Sequence, residues 1–157
     1  MRILIVRHGD PNYELDTLTE TGWKEARLAA ERLSRLDIKA FYVSPLGRAQ
    51  DTAGCTLEKM HRTAKTCEWL REFAPRIARP DRQDRKSISW DWLPQDMERE
   101  QKYYDKDNWS YTKIMEDGGV KKEYDWVCEG LDDLLREHGY EREGLHYRAV
   151  RPNQDTI

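Results

Sequence analysis

The chain predicts an α/β fold, a three-layer sandwich with a mostly parallel sheet. Short β-branched runs alternate with helix-period stretches, the alternation resumes after an aromatic-rich middle segment, and 157 residues suffice for one sheet with helices on both faces. The first run, Ile3-Leu4-Ile5-Val6, reads as a buried strand. Arg7-His8-Gly9 follows at its carboxyl end, where open α/β sheets bind ligands. Arginine supplies a permanently charged fork for phosphate, and an imidazole held neutral and aimed can attack phosphorus. The bland alternative is an ordinary strand end with a turn glycine.

Thr19 is positioned to cap a helix whose apolar stripe is Trp23, Ala26, Ala30 and Leu33. A second strand is expected at about 40–43. Ser44-Pro45 then reads as a helix start, with the hydroxyl as cap and proline at the first helical position. Leu46, Ala49, Ala53, Leu57 and Met60 form the packing stripe of that helix, and Arg48 in its first turn points elsewhere. Free backbone N–H groups and the positive dipole end make this helix start an anion site. Arg48 by itself would be a solvated surface cation; beside Arg7 it is better read as half of a two-arginine phosphate clamp.

A third strand is expected at about 64–68, and Glu72 follows it in Trp69-Leu70-Arg71-Glu72-Phe73. A leaving alkoxide needs a proton, and Glu72 is the candidate donor. Its alternative is a solvated glutamate neighbouring Arg71. From about 75 to 119 the alternation lapses into basic and acidic residues interleaved with Trp90, Trp92, Tyr103, Tyr104, Trp109 and Tyr111. These aromatics suit either the lining of a pocket or a small satellite core, and the satellite core is favoured for most of them. A helix returns at 120–139, with Tyr124, Val127, Leu131, Leu134 and Leu135 on one face and a terminating glycine. A further strand is expected at about 145–150.

Three blocks carry a resemblance: Arg7-His8-Gly9, then Leu18-Thr19-Glu20-Thr21-Gly22-Trp23-Lys24-Glu25-Ala26, then Ser44-Pro45-Leu46-Gly47-Arg48-Ala49-Gln50-Asp51-Thr52-Ala53. In this order and at these separations they resemble the histidine phosphatase superfamily, the phosphoglycerate mutase-like enzymes, across the first half of the chain. The resemblance implies a phosphohistidine intermediate on an α/β sandwich. It makes His8 and Glu72 the expected catalytic residues and Arg7, Arg48 and Asn12 the expected phosphate ligands. It also makes the 75–119 segment a cap-like insertion in a single domain spanning 1–157.

Two departures stand out. The family carries a second pocket histidine on a late central strand, an apolar run ending in His-Gly, and the sequence has no such run. His61 and His138 read as helix-end surface residues and His146 sits in a polar segment, so none takes that role. The expected consequence is a fold incomplete at the carboxyl end, with Asn153-Gln154-Asp155-Thr156-Ile157 as the lead-in to the absent strand. Losing one preorganised donor typically costs about 10²–10³ in rate. The other departure is Asp10, an acid beside the phosphate site that must point away or hold the His8 loop, which Pro11 stiffens.

Composition bounds the rest. A net charge of −3 and a pI near 5.9 argue against a nucleic-acid footprint. No stretch approaches membrane-span length and no basic, apolar leader precedes the first strand, so neither membrane insertion nor export is expected. Cys55, Cys67 and Cys128 are odd in number and unpatterned, as for free thiols in a reducing cytoplasm. Metal-ligand spacing is lacking, and no cofactor is expected. The expected function is hydrolysis of a small organic phosphate monoester, with mutase-type phosphotransfer or non-catalytic phosphate binding as alternatives.

Overall fold

Residues 1–82 and 85–157 are described by a computed structural model. They form two compact units, Met1–Arg71 with Asp132–Ile157, and Glu72–Leu131. In the first unit, strands β1 (Pro11–Asn12) and β2 (Thr17–Leu18) pair antiparallel, with Pro11 opposite Leu18. Helix α1 (Glu20–Leu33) starts where Thr19 turns extended and its hydroxyl accepts the Gly22 N–H, the cap that the sequence predicts. Gly22, Ala26 and Ala30, four residues apart, are the buried line of α1, whereas Trp23 and Leu33 are only half-buried. Such small side chains let neighbours approach closely, as where a Cβ on Gly22 would stand 2.2 Å from the Asp10 carbonyl oxygen, and α2 (Gly47–Met60) is the helix that packs on α1. Strand β3 (Tyr42–Val43), between the helices in sequence, pairs parallel with β4 (Lys65–Thr66).

Helix α2 departs from expectation twice. Ser44 and Pro45 lie before the helix, its N-cap is Leu46, and no side chain of the cap residue bonds to it. Its buried line is Arg48, Thr52 and Thr56, while Ala49, Ala53 and Leu57 are half-buried. The face that meets the rest of this unit is therefore polar, and its hydroxyl and guanidinium groups make specific bonds, described below.

The second unit begins with an antiparallel pair, β5 (Arg76–Ile77) and β6 (Ser87–Ile88), and continues through short helices α3 (Pro94–Met97) and α4 (Lys113–Glu116). Ile77, Trp92, Tyr103, Met115 and Val120 form its core, with Phe73, Met97, Trp109 and Ile114 packed around them. Trp92, Tyr103 and Trp109 are thus satellite-core residues, and Trp92 and Tyr103 meet edge-on at 4.9 Å between centroids. Trp90, Tyr104 and Tyr111 stay exposed. Full burial of Ile77 and Val120 stabilises by about 1.5–3 kcal/mol each.

Helix α5 (Val120–Glu137) supplies residues to both units. Its Leu134 and Leu135 are buried in the first unit, as their place on the predicted face requires, while Tyr124 on that face is exposed. Strand β8 (His146–Ala149), within the expected 145–150 segment, forms an antiparallel hairpin with β7 (Tyr140–Glu143), whose polar sequence gave no strand signal. The turn uses Gly144 at φ +65°, a conformation open to glycine without strain. Asp132 braces the hairpin by accepting from both Arg142 and Tyr147.

The amino-terminal run corrects a sequence expectation. Arg2 bridges Thr156 in parallel, the Ile157 N–H donates to the Arg2 carbonyl at 3.0 Å, and the Leu4 N–H donates to the Ile157 carbonyl at 2.8 Å. On the other side of this segment, the Lys39 N–H donates to the Thr156 carbonyl at 2.7 Å. Among the described residues the ladder stops at Leu4, and Ile3, Ile5 and Val6 are 47%, 94% and 50% exposed. Apolar character makes a run suitable for burial, but burial itself depends on what packs against it. Among the described residues, the β3–β4 pair is the parallel element of two-residue length or more, and the remaining named strand pairs are antiparallel.

Candidate functional site

Side chains of both helices hold the Arg7-His8-Gly9 loop, Thr52 from α2 and Glu25 from α1. The His8 Nδ1 lies 2.8 Å from the Gly9 carbonyl oxygen. A carbonyl can only accept, so Nδ1 is the donor here, and in the neutral ring Nε2 presents its lone pair. Gly9 is buried, and a Cβ there would lie 2.7 Å from the Gly22 carbonyl oxygen, so glycine serves close approach here more than a turn. The Gly9 N–H donates to the Thr52 hydroxyl at 3.1 Å, and that hydroxyl donates to the Arg48 carbonyl at 2.7 Å. This relay ties the histidine loop to the first turns of α2. Asp10 does hold the loop: its N–H donates to the Glu25 carboxylate at 2.8 Å, and its own carboxylate accepts the Thr19 hydroxyl.

Arg48 is not a surface cation, since its side chain is only 8% exposed. Its Nη1 lies 2.7 Å from the Asp16 carboxylate, and its guanidinium carbon sits 5.3 Å from the centre of the Tyr13 ring. The other Asp16 oxygen accepts the Gly47 N–H at 2.7 Å. The anion at the start of α2 is therefore this carboxylate. The Gly47 N–H bond, together with the Arg48 guanidinium, holds the Asp16 carboxyl below the usual aspartate range, against a smaller opposing effect of burial. No spacing in the sequence could pair Asp16 with Arg48; the one local signal is that aspartate tolerates the left-handed backbone seen here at φ +47°.

Asn12 closes the turn between β1 and β2, its Oδ1 accepting the Leu15 N–H at 3.2 Å. Arg7 is exposed. Glu72 is exposed, lies past the 3₁₀ turn Glu68–Leu70, and is the first residue of the second unit. His61 ends α2 in a left-handed conformation on the surface, as expected for a helix end. His138 is half-buried instead, its Nε2 2.7 Å from the Tyr42 hydroxyl, a long-range contact hidden from the sequence. His146 is exposed beside Glu143. The three cysteines are free, and burial pushes the Cys67 thiol up. Among the described residues no group of three or more His, Cys, Asp or Glu is placed to hold a metal ion, and no helix is long and apolar enough to cross a membrane.

The sequence pattern of the histidine phosphatase superfamily (branch 1) matches residues 3–116, which take in the histidine loop, both helices that brace it and Glu72. This chain belongs to the histidine phosphatase superfamily. Within that superfamily it is 35% identical over 80 residues to the 2,3-bisphosphoglycerate-dependent phosphoglycerate mutase of Thermoplasma acidophilum, covering 45% of this chain and 40% of that enzyme. Among solved structures, a mycobacterial glucosyl-3-phosphoglycerate phosphatase is 33% identical, with a TM-score of 0.39 over 42% of this chain and 35% of that one. A protein described as mycobacterial hydrolase 1 is 28% identical, with a TM-score of 0.39 over 47% of this chain and 38% of the other. This chain thus spans about two fifths of the length of the relatives it matches.

Proposed function

We propose that this chain is a cytoplasmic phosphatase that hydrolyses a small organic phosphate monoester through a phosphohistidine at His8. The observation that carries the proposal is the His8 Nδ1 contact with the Gly9 carbonyl, which leaves Nε2 as the nucleophilic nitrogen. In the first step Nε2 forms a bond to phosphorus as the bond to the substrate oxygen breaks, and Glu72 gives its proton to the departing alkoxide. Water then attacks the phosphohistidine, the N–P bond breaks with its electron pair returning to Nε2, and the Glu72 carboxylate takes the proton of that water. Arg7, Arg48 and Asn12 bind the phosphoryl oxygens and stabilise the charge that builds on them. No metal or cofactor enters these steps. We place the site in a three-layer sandwich in which the β3–β4 pair, in parallel register, belongs to the central sheet.

The phosphoglycerate mutase relative favours a second reading, in which the phosphoryl group returns to an organic acceptor instead of water. The test is hydrolysis of an aryl phosphate by the whole chain, with His8→Ala as control and acid quench to trap an acid-labile phosphoenzyme. His8-dependent turnover and label on the histidine support the phosphatase. Phosphate binding by a folded chain that forms no phosphoenzyme refutes it in favour of a binding protein.

A further inference from the structure

Asp16 and Tyr13 lie outside the three motif blocks, yet they surround the guanidinium on which phosphate recognition is proposed to depend. Arginine reaches its head group through a long flexible stem, so a clamp needs something to fix the plane of the fork. Here both Asp16 oxygens are engaged on the first two residues of α2. One accepts the Gly47 N–H at 2.7 Å and the other lies 2.7 Å from Arg48 Nη1. The Tyr13 ring faces the guanidinium, and the Thr17 hydroxyl donates to the Asp51 carboxylate farther along α2. Close approach of this loop depends on a missing side chain, because a Cβ on Gly47 would stand 2.1 Å from the Asp16 carbonyl oxygen.

We propose that Asp16, supported by Tyr13, is the positioning residue that sets the orientation of Arg48 toward the phosphoryl group. The proposal rests on the assignment of Arg48 as a phosphate ligand. A carboxylate held by a backbone N–H cannot swing with the arginine, so it pins one corner of the fork. It also offsets the guanidinium charge, which makes Arg48 a donor acting through geometry more than through net charge.

The test compares the whole chain with Arg48→Ala, Asp16→Ala, Asp16→Asn and the double variant Asp16→Ala/Arg48→Ala. The readouts are inorganic phosphate binding by equilibrium dialysis and aryl phosphate turnover. Asp16→Ala is expected to weaken phosphate binding about tenfold, within the range for residues of one ion-pair network, and to lower kcat by about 10–100-fold. Asn accepts the positive φ and keeps one carbonyl acceptor, but its NH2 faces either the Gly47 N–H or Arg48 Nη1, so Asp16→Asn recovers only part of the loss. The double variant binds phosphate no more weakly than Arg48→Ala alone, because there is no longer a fork to orient.

Asp16→Ala within twofold of the parent, beside a tenfold loss in Arg48→Ala, overturns the positioning role and leaves the clamp standing. Additive losses in the double variant overturn it too, since they mark general damage to the fold. No loss in Arg48→Ala overturns the clamp and the proposal together. Should Asp16→Ala fail to fold, the same cycle with Asp16→Asn decides: no loss in that variant, or a loss that adds fully to the Arg48→Ala loss, overturns the role.

Discussion

Thr52→Val isolates the bond that anchors the histidine loop. Thr52 is 7% exposed, and valine keeps its shape while removing the hydroxyl. The parent hydroxyl accepts the Gly9 N–H at 3.1 Å and donates to the Arg48 carbonyl at 2.7 Å. That carbonyl keeps its helical partner in the variant, but the buried Gly9 N–H loses its acceptor. A buried donor left unsatisfied costs about 1–3 kcal/mol, and the added apolar group returns about 0.8 kcal/mol. The net loss is about 0.2–2.2 kcal/mol, equivalent to a fall in Tm of up to about 9 °C for a chain of this size. Thermal unfolding followed by circular dichroism gives the magnitude. Amide exchange at Gly9, read by NMR, identifies the cause: it speeds up in Thr52→Val and stays slow in Thr52→Ser, which keeps the hydroxyl. A Gly9 amide as protected in Thr52→Val as in the parent would refute the reasoning, whatever the Tm.

The two glycines of α2 predict effects of opposite sign. Gly47→Ala drives a Cβ into the Asp16 carbonyl and is expected to destabilise by about 1–3 kcal/mol. Gly54→Ala, where a Cβ meets nothing within 4 Å, is expected to stabilise by up to about 1 kcal/mol; urea midpoints compare the two. Met115→Ala empties a position only 2% exposed in the core of the second unit and should lower stability by about 2–5 kcal/mol in the same assay. Asp16 predicts an acid dependence. Its carboxyl sits below the ordinary aspartate value, so its contribution is complete above about pH 3.9 and is lost as pH falls through the lowered native value. In Tm measured from pH 6 down to pH 2.5, Asp16→Asn should show a shallower acid loss than the parent. An identical slope for both would count against the Asp16 pairing.

Local chemistry was legible in the sequence. Thr19 caps α1 because a hydroxyl three residues from an N–H needs no help from the rest of the chain. The aromatic segment yielded a satellite core because Trp92, Tyr103 and Trp109 bury large apolar areas wherever the chain closes around them. The three motif blocks placed the chain in its superfamily, since the order and separation of Arg-His-Gly and its partners can be read along the chain alone. Tertiary structure alone decided the rest. Asp16 and Arg48 meet across a loop and a helix start, Thr52 accepts from Gly9, and His138 finds Tyr42, each through contacts between residues far apart in sequence. The exposure of Ile5 and the burial of Arg48 have the same origin. Hydrophobicity and charge belong to a residue, but burial and pairing belong to the neighbours that folding brings to it, and those neighbours put a carboxylate on the arginine.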